Sequence, residues 1–207
     1  MSKVFVVGLG GPSGTGKSKV AKAVAARLDA HILSMEVYSA PMNHLPLPER
    51  SRQNYDAPNA IDVQLLEQNL RDLVAGQAIE APIYDFAEHM RLSRRENVRP
   101  KTLLIVEGIL ALHLDQLRPY YDLAIYLEAP DKVCFHRREV RDITERQRSL
   151  EMIRWQYENT VLPAARAYAI PSKRHADVVV NTEADFETVQ NRVYDAIESK
   201  RALAATP

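Results

Sequence analysis

The sequence predicts an α/β fold with a mainly parallel central sheet. Three observations carry that prediction. Apolar, β-branched runs recur along the 207-residue chain near 3–9, 102–106, 123–127 and 178–180. Segments of helical period lie between them. A cluster of glycines follows the first run directly. Strands alternating with helices pair in parallel, since each crossover needs a helix packed back on the sheet.

The elements follow in order. Residues 3–9 read as a buried strand, because the run is continuously apolar rather than alternating. It is too short, and has too little basic sequence before it, for a secretory signal. Lys17–Leu28 reads as a helix with Val20, Ala23, Val24 and Leu28 on its apolar face. His31–Ser34 reads as a second short strand. Residues 39–60 carry Pro41, Pro46, Pro48 and Pro58 among polar residues, a long irregular segment of the kind that is often functional. Asp62 suits the N-cap of a helix reaching Ala75, with Gly76 at its C′ position. Further helical patterns cover 130–146, 149–168 and 184–200. Residues 202–207 are expected to fray. No break in composition divides the chain, which reads as one domain over 1–207.

Charge narrows the function. Lys plus Arg and Asp plus Glu number 27 each, so the formal net charge is zero. A broad nucleic-acid or anionic-membrane surface needs an excess of cations and is not expected. The single cysteine, Cys134, reads as a small buried hydrophobe, and one thiol with no partner suits a reducing cytosol. No apolar run reaches the length of a membrane span.

Five of the seven glycines, Gly8, Gly10, Gly11, Gly14 and Gly16, lie within nine residues. Gly11-Pro12-Ser13-Gly14-Thr15-Gly16-Lys17-Ser18 matches the P-loop pattern G-x-x-x-x-G-K-[S/T], between a strand and a helix as the pattern requires. Such a loop curls its backbone N–H groups around phosphate oxygens at a helix N-terminus. Lys17 then reaches the β- and γ-phosphates of ATP, and Ser18 offers a hydroxyl to Mg²⁺. The expected fold is therefore the three-layer P-loop NTPase type with a small helical lid. No guanine-reading N-K-x-D stretch is present, and the chain is short for an ATP-driven motor.

Glu107 ends the strand run 102–106 and precedes Gly108. A carboxylate there faces the nucleotide crevice of an open α/β sheet and can hold Mg²⁺, directly or through water. Glu36 follows the second strand and points at the same crevice, where it can take or orient the proton of an acceptor hydroxyl. The run His136–Arg148 holds Arg137, Arg138, Arg141, Arg146 and Arg148. On a continuous helix Arg137, Arg141 and Arg148 fall within about 40° of one another. With Glu139, Asp142 and Glu145 among them, the plain reading is a salt-bridged exposed helix. Beside a P-loop, a lid over about 136–150 that closes on ATP phosphates is favoured. Tyr84, Phe86 and His89 lie between Pro82 and Arg91 and could stack on or hydrogen-bond a flat base. Taken alone, that cluster fits ordinary packing.

In order and spacing, these stretches resemble the uridine–cytidine kinases, within the phosphoribulokinase and uridine kinase group, from about Lys3 to Asp185. The matching stretches are the P-loop, Leu-Ser-Met-Glu at 33–36, Asn-Tyr-Asp-Ala-Pro at 54–58, Ile-Asp at 61–62 and Pro-Ile-Tyr-Asp-Phe at 82–86 with His89 and Arg91. They continue with Val-Glu-Gly-Ile-Leu at 106–110, Arg-Arg-Glu-Val-Arg-Asp-Ile-Thr-Glu-Arg at 137–146 and Pro-Ser-Lys-Arg-His-Ala-Asp at 171–177. The resemblance implies that Asp56 binds ribose hydroxyls and that Tyr84 and His89 line a pyrimidine pocket. Arg138, Arg148 and Gln156 would complete the nucleoside site. Arg141 and Arg146 would act on phosphates from the lid, and Asp185 would lie near the adenine. It also implies a homotetramer.

Three positions depart from the family pattern: Glu36 where Asp is usual, Ser39 where an aromatic is usual, and Gln147 where the lid has glycine. The reading is an ATP-dependent pyrimidine nucleoside kinase. A kinase of another small hydroxyl acceptor (a sugar phosphate or a pantothenate-like molecule) and a non-catalytic nucleotide-binding regulator remain as alternatives.

Overall fold

The computed structural model describes residues 3–42 and 44–205. β1 (Phe5–Gly10) leads through the glycine loop into α1 (Lys17–Leu28), and β2 (His31–Ser34) follows. A 3₁₀ turn over Met35–Tyr38 leads into the irregular segment, which holds the single-turn α2 (Leu47–Arg50) and a second 3₁₀ turn over Pro58–Ala60. Next come α3 (Val63–Val74), β3 (Ile79–Asp85), β4 (Met90–Val98) and β5 (Leu103–Glu107). The order closes with β6 (Leu123–Glu128), α4 (Asp131–Thr144), α5 (Leu150–Gln156), α6 (Leu162–Ala164), β7 (Val178–Asn181) and α7 (Phe186–Ala205).

Five strands form one parallel sheet in the order β2-β5-β1-β6-β7. Alternate residues of the central strands feed two separate cores, as the pleat demands. Val6, Leu104 and Val106 pack with Leu66, Leu70 and Leu73 of α3 on one face. Val7, Leu9, Leu103 and Ile105 pack with Val20 and Val24 of α1 and Val193 and Ile197 of α7 on the other. Helices on both faces of a parallel sheet make the three layers that the strand–helix alternation predicts.

The sequence places α3 closely. Asp62 caps it, its Oδ1 accepting from the Leu65 N–H at 3.2 Å, and Gly76 follows the helix with φ 81°. The sequence reading missed the hairpin β3–β4, since β4 is polar and largely exposed. Its ladder slips between Pro82 and Tyr84, where Pro82 has no N–H to donate. At the turn, Asp85 Oδ1 accepts from the N–H groups of Ala87 and Glu88 at 2.9 and 3.0 Å, and His89 adopts φ 51°.

Two helix expectations change. The pattern at 149–168 is helical to Ala169, but π turns at Tyr157–Val161 and Ala165–Ala169 flank α6. Pro163 has no N–H for an i−4 carbonyl, and the widened turns sit on either side of it. Fraying from 202 is not observed, since α7 continues through Ala205; residues 206 and 207 lie outside the described residues. Cys134 is buried, as expected. Among the described residues no helix is long and apolar enough to cross a membrane.

Candidate active site

The loop 11–18 sits beyond the carboxyl end of β1. Gly16 caps α1 with φ 91°, and a Cβ built there meets nothing within 4 Å, so the space it faces is open. Gly14, at φ 87°, packs directly on the Cys134 carbonyl in the first turn of α4. A side chain there would push α4 off the loop. Lys17 is 6% exposed, and its Nζ donates to the Pro12 carbonyl at 2.9 Å. Burial drives its pKa down, and the neighbouring Glu107 and Glu36 oppose that without reversing it.

Sheet register puts Glu107 beside Leu9 on one side and Ser34 on the other. Its carboxylate is 2% exposed and accepts from Ser34 Oγ at 2.7 Å. Ser18 Oγ lies 3.2 Å from both of its oxygens. Burial and then Glu36 raise the Glu107 pKa, against Lys17 and the two hydroxyls. Among the described residues no three His, Cys, Asp or Glu side chains come together to cage a metal. A two-residue oxygen donor set beside a phosphate loop fits Mg²⁺, which keeps much of its water and takes the remaining ligands from phosphates.

Glu36 lies in the 3₁₀ turn after β2, one third exposed, and accepts from Arg146 Nη2 at 3.2 Å. Burial pushes its pKa up, but Arg146, Arg141 and Lys17 outweigh burial and hold it below the usual carboxylate value. It stays charged at neutral pH. Glu36, Arg141 and Arg146 line both the cleft at the glycine loop and a second, adjoining pocket. Asp56, Tyr84, His89, Arg138, Arg148 and Gln156 line that second pocket with them. The structure therefore gathers residues drawn from five separate stretches of sequence.

The pocket is aromatic on one side and cationic on the other. His89 stacks on Tyr55 with ring centroids 4.9 Å apart, and Tyr84 meets Phe86 edge-on at 5.1 Å. Burial, then Arg148 and Arg146, pull the His89 pKa down to about 4, so the ring is neutral. Arg148 Nη2 lies 3.0 Å from His89 Nε2. A guanidinium only donates, so Nε2 accepts and the proton sits on Nδ1. Asp56 is 8% exposed, and burial raises its pKa against the pull of Arg138.

Several placements differ from the sequence reading. Arg148 is not on a common helix with Arg137 and Arg141: α4 stops at Thr144, and Gln147 turns the chain with φ 53°. Arg137 faces away from the acceptor pocket and grips Thr182, its Nη1 2.9 Å from the hydroxyl and its Nη2 2.7 Å from the carbonyl. The arginine run is not an exposed helix face either: Arg138 and Asp142 are buried. Asp185 stands between Ala184 and Phe186, which both line the nucleotide cleft. It is exposed and caps α7, accepting from the Thr188 N–H at 2.9 Å and hydroxyl at 2.7 Å. Thr182 and Val189 line that end of the cleft with Ala184 and Phe186.

Gln156 spends its amide on protein partners. Its Oε1 accepts from Arg138 at 3.4 Å and Arg148 at 3.2 Å, and its Nε2 donates to the Ser51 carbonyl at 2.6 Å. Tyr38 is core, its hydroxyl accepting from Asn69 at 2.9 Å, whereas Ser39 reaches the pocket wall. Sequence reasoning gave no role to Tyr55, and placed Ser13 only in the phosphate loop. Tyr55 directly precedes the predicted site residue Asp56, and that adjacency was the available signal. Ser13 accepts from Arg138 Nη1 at 2.9 Å, a contact across 125 residues that no local pattern encodes.

Comparison with known proteins agrees with this geometry. The family model described as "Phosphoribulokinase / Uridine kinase family" matches residues 6–189. A uridine kinase of Ligilactobacillus salivarius is 41% identical over 182 residues, covering 86% of this chain and 85% of its own. One from Clostridium tetani is 40% identical over 179 residues, covering 85% and 86%. Two solved structures share the fold. A candidate fructose transport system kinase from a Silicibacter species has a TM-score of 0.71 at 21% identity, covering 87% of this chain and 91% of its own. A possible uridine kinase from Bacillus stearothermophilus has a TM-score of 0.61 at 20% identity, covering 86% and 89%. With a P-loop, a strand-end carboxylate and three arginines of the 137–146 stretch in one cleft, and a family model matched over most of its length, the chain belongs to the phosphoribulokinase/uridine kinase family.

Proposed function

We propose that the protein transfers the γ-phosphoryl group of ATP to the 5′-hydroxyl of a pyrimidine nucleoside, uridine or cytidine, in pyrimidine salvage. One observation carries the reading. Glu36, an ionised carboxylate, stands where the phosphate-loop cleft opens into the aromatic and cationic pocket. A base at the junction of a donor site and an acceptor site is what direct in-line transfer requires. The curated relatives named uridine kinase support the acceptor class.

Each group then has a task. Asp56 accepts from ribose hydroxyls on the floor of the pocket. Tyr84 and neutral His89 present a phenol and an Nδ1–H to the polar edge of the base, with Tyr55 and Phe86 supplying the apolar walls. Arg138 and Arg148 hold this wall together, with Gln156 as their brace. Glu36 takes up the proton of the 5′-hydroxyl as the oxygen attacks, which requires Arg146 to give up part of its hold on that carboxylate. Lys17, Arg141 and Arg146 meet the charge that spreads over the transferring group. Ser18 and Glu107 would hold Mg²⁺, which when bound neutralises charge on the phosphates. Residues 136–150 act as the lid within a single domain. The family resemblance further supports a homo-oligomer in the cytosol, and light scattering of the purified protein reads the first of these.

The alternatives are weaker. A sugar phosphate has no use for the Tyr55–His89 stack. A non-catalytic regulator has no need of an ionised base beside Lys17. The test is nucleoside monophosphate formation from ATP, Mg²⁺ and uridine or cytidine, with ADP release profiled against other hydroxyl acceptors. Glu36→Gln is expected to lower kcat by about 10²–10⁴-fold while keeping ATP binding. Absence of nucleoside monophosphate under every condition sinks the proposal.

A further inference from the structure

The lid arginines do not position themselves. Arg138, Arg141, Arg146 and Arg148 all converge on one carboxylate, that of Asp142, whose side chain is completely buried. Oδ1 meets Arg141 Nε at 2.8 Å and Nη2 at 2.7 Å, with Arg146 Nη1 at 3.6 Å. Oδ2 meets Arg148 Nη1 at 3.3 Å and Arg138 Nε at 3.5 Å. The Asp142 carbonyl also accepts from the Arg148 N–H at 3.0 Å, which closes the turn after α4.

From this hub the guanidiniums reach different parts of the site. Arg138 goes to Ser13 in the phosphate loop, at 2.9 Å. Arg146 goes to Glu36, at 3.2 Å. Arg148 goes to His89 in the acceptor pocket, at 3.0 Å. Arg141 lies along the nucleotide cleft.

Four cations against the two carboxylates they pair with, Asp142 and Glu36, leave an excess of positive charge inside the protein. Two carboxylate oxygens cannot satisfy every N–H of four forks. Arg138 Nε, buried, stands 3.5 Å from Asp142 Oδ2 but makes no hydrogen bond. The cluster is thus held in shape but left short of acceptors, a state that an incoming phosphoryl group relieves.

We propose that Asp142 is the positioning residue of the lid, a buried anion that holds four arginines at the spacing the transferring phosphoryl group needs. It touches neither substrate and acts only through the guanidiniums. The proposal rests on the kinase reading above, though not on the identity of the acceptor.

The test compares Asp142→Asn, which keeps shape and removes charge, with Asp142→Glu, which keeps charge and displaces it by one methylene. Asp142→Asn is expected to lower kcat about 100-fold, the scale of an ångström-level misplacement, and Asp142→Glu about 10-fold. ADP affinity, set by the glycine loop and Lys17, should stay within about twofold of the parent in both. If the parent protein phosphorylates no nucleoside, the function above fails and the hub is read without an acceptor. Calorimetry then compares Mg-ATP with Mg-ADP, and Asp142→Asn should lose about tenfold in affinity for ATP alone. If Asp142→Asn does not fold, Asp142→Glu carries the same comparisons. A folded variant with kcat, or with ATP affinity in the acceptor-free arm, within threefold of the parent overturns the proposal. So does a fall in ADP affinity that matches the fall in kcat, which marks general damage.

Discussion

His89 links acid to stability, and the size of the effect can be worked out. It is 6% exposed, and burial and its arginine neighbours bring its pKa from an ordinary 6.5 down to about 4. Between those values the unfolded chain binds a proton there and the folded chain does not. The stability that the neutral ring confers is complete above pH 6.5 and is lost as pH falls toward 4. From about pH 7.5 to 5.0 the wild-type protein should lose about 2 kcal/mol through this residue, since pH 5.0 lies 1.5 below 6.5 and each pH unit there is worth about 1.4 kcal/mol. For a chain of this size that is about 4–8 °C in Tm.

Other acids titrate in the same range, so the measurement is a difference. His89→Asn removes the ring, and Asn tolerates the left-handed backbone that His89 adopts at φ 51°. Urea unfolding of both proteins at the two pH values should show a steeper loss in the wild type by about 2 kcal/mol. Pockets of substrate do not enter, because the assay is run without ligand. Equal losses, within about 0.5 kcal/mol, would refute the reasoning and mean that His89 takes up its proton without leaving its place.

Two further outcomes follow from the frame around the site. Arg91 is buried, with Nη1 3.0 Å from Asp62 Oδ2 and Nη2 2.7 Å from the Tyr38 carbonyl, and it pins the hairpin β3–β4 to the cap of α3 and the turn that carries Glu36. Arg91→Met should cost about 1–3 kcal/mol in urea unfolding, because the Tyr38 carbonyl loses its donor while the Asp62 carboxylate, one third exposed, keeps water, and a loss below about 0.5 kcal/mol would show the pin to be idle. Gln147 holds φ 53°, a conformation that costs a side-chain-bearing residue about 1–2 kcal/mol, of which glycine's unfolded-state entropy returns about half. Gln147→Gly should therefore raise stability by up to about 1 kcal/mol, read by thermal melting, and a lower Tm would contradict it.

The donor half of the site was legible because its chemistry is local. Gly11 to Ser18 are consecutive, each glycine answers a backbone need, and the strand and helix that frame the loop have their own apolar periods. α1 and β2 fall where those periods put them, and the Asp62 cap is a contact between neighbours three residues apart. The hairpin β3–β4 escaped because its exposed strand carries no apolar alternation to read. The side-chain use of Asp185 was not legible, because a carboxylate ahead of a helix can cap it or meet a ligand, and in the structure it caps α7.

By itself, then, the sequence determined the layered parallel fold, the phosphate loop at 11–18 and the types of residue around it. Only the tertiary structure decided how the arginine segment is used. A run with interspersed acids reads equally well as a solvated face, because burial is not written in local spacing. Folding closes α4 over the loop through Gly14 and Cys134 and turns the chain back at Gln147. That puts Asp142 out of water among four guanidiniums drawn from both sides of the turn. Away from water their mutual attraction and repulsion are no longer screened, so the charges fix one another's positions around the cleft.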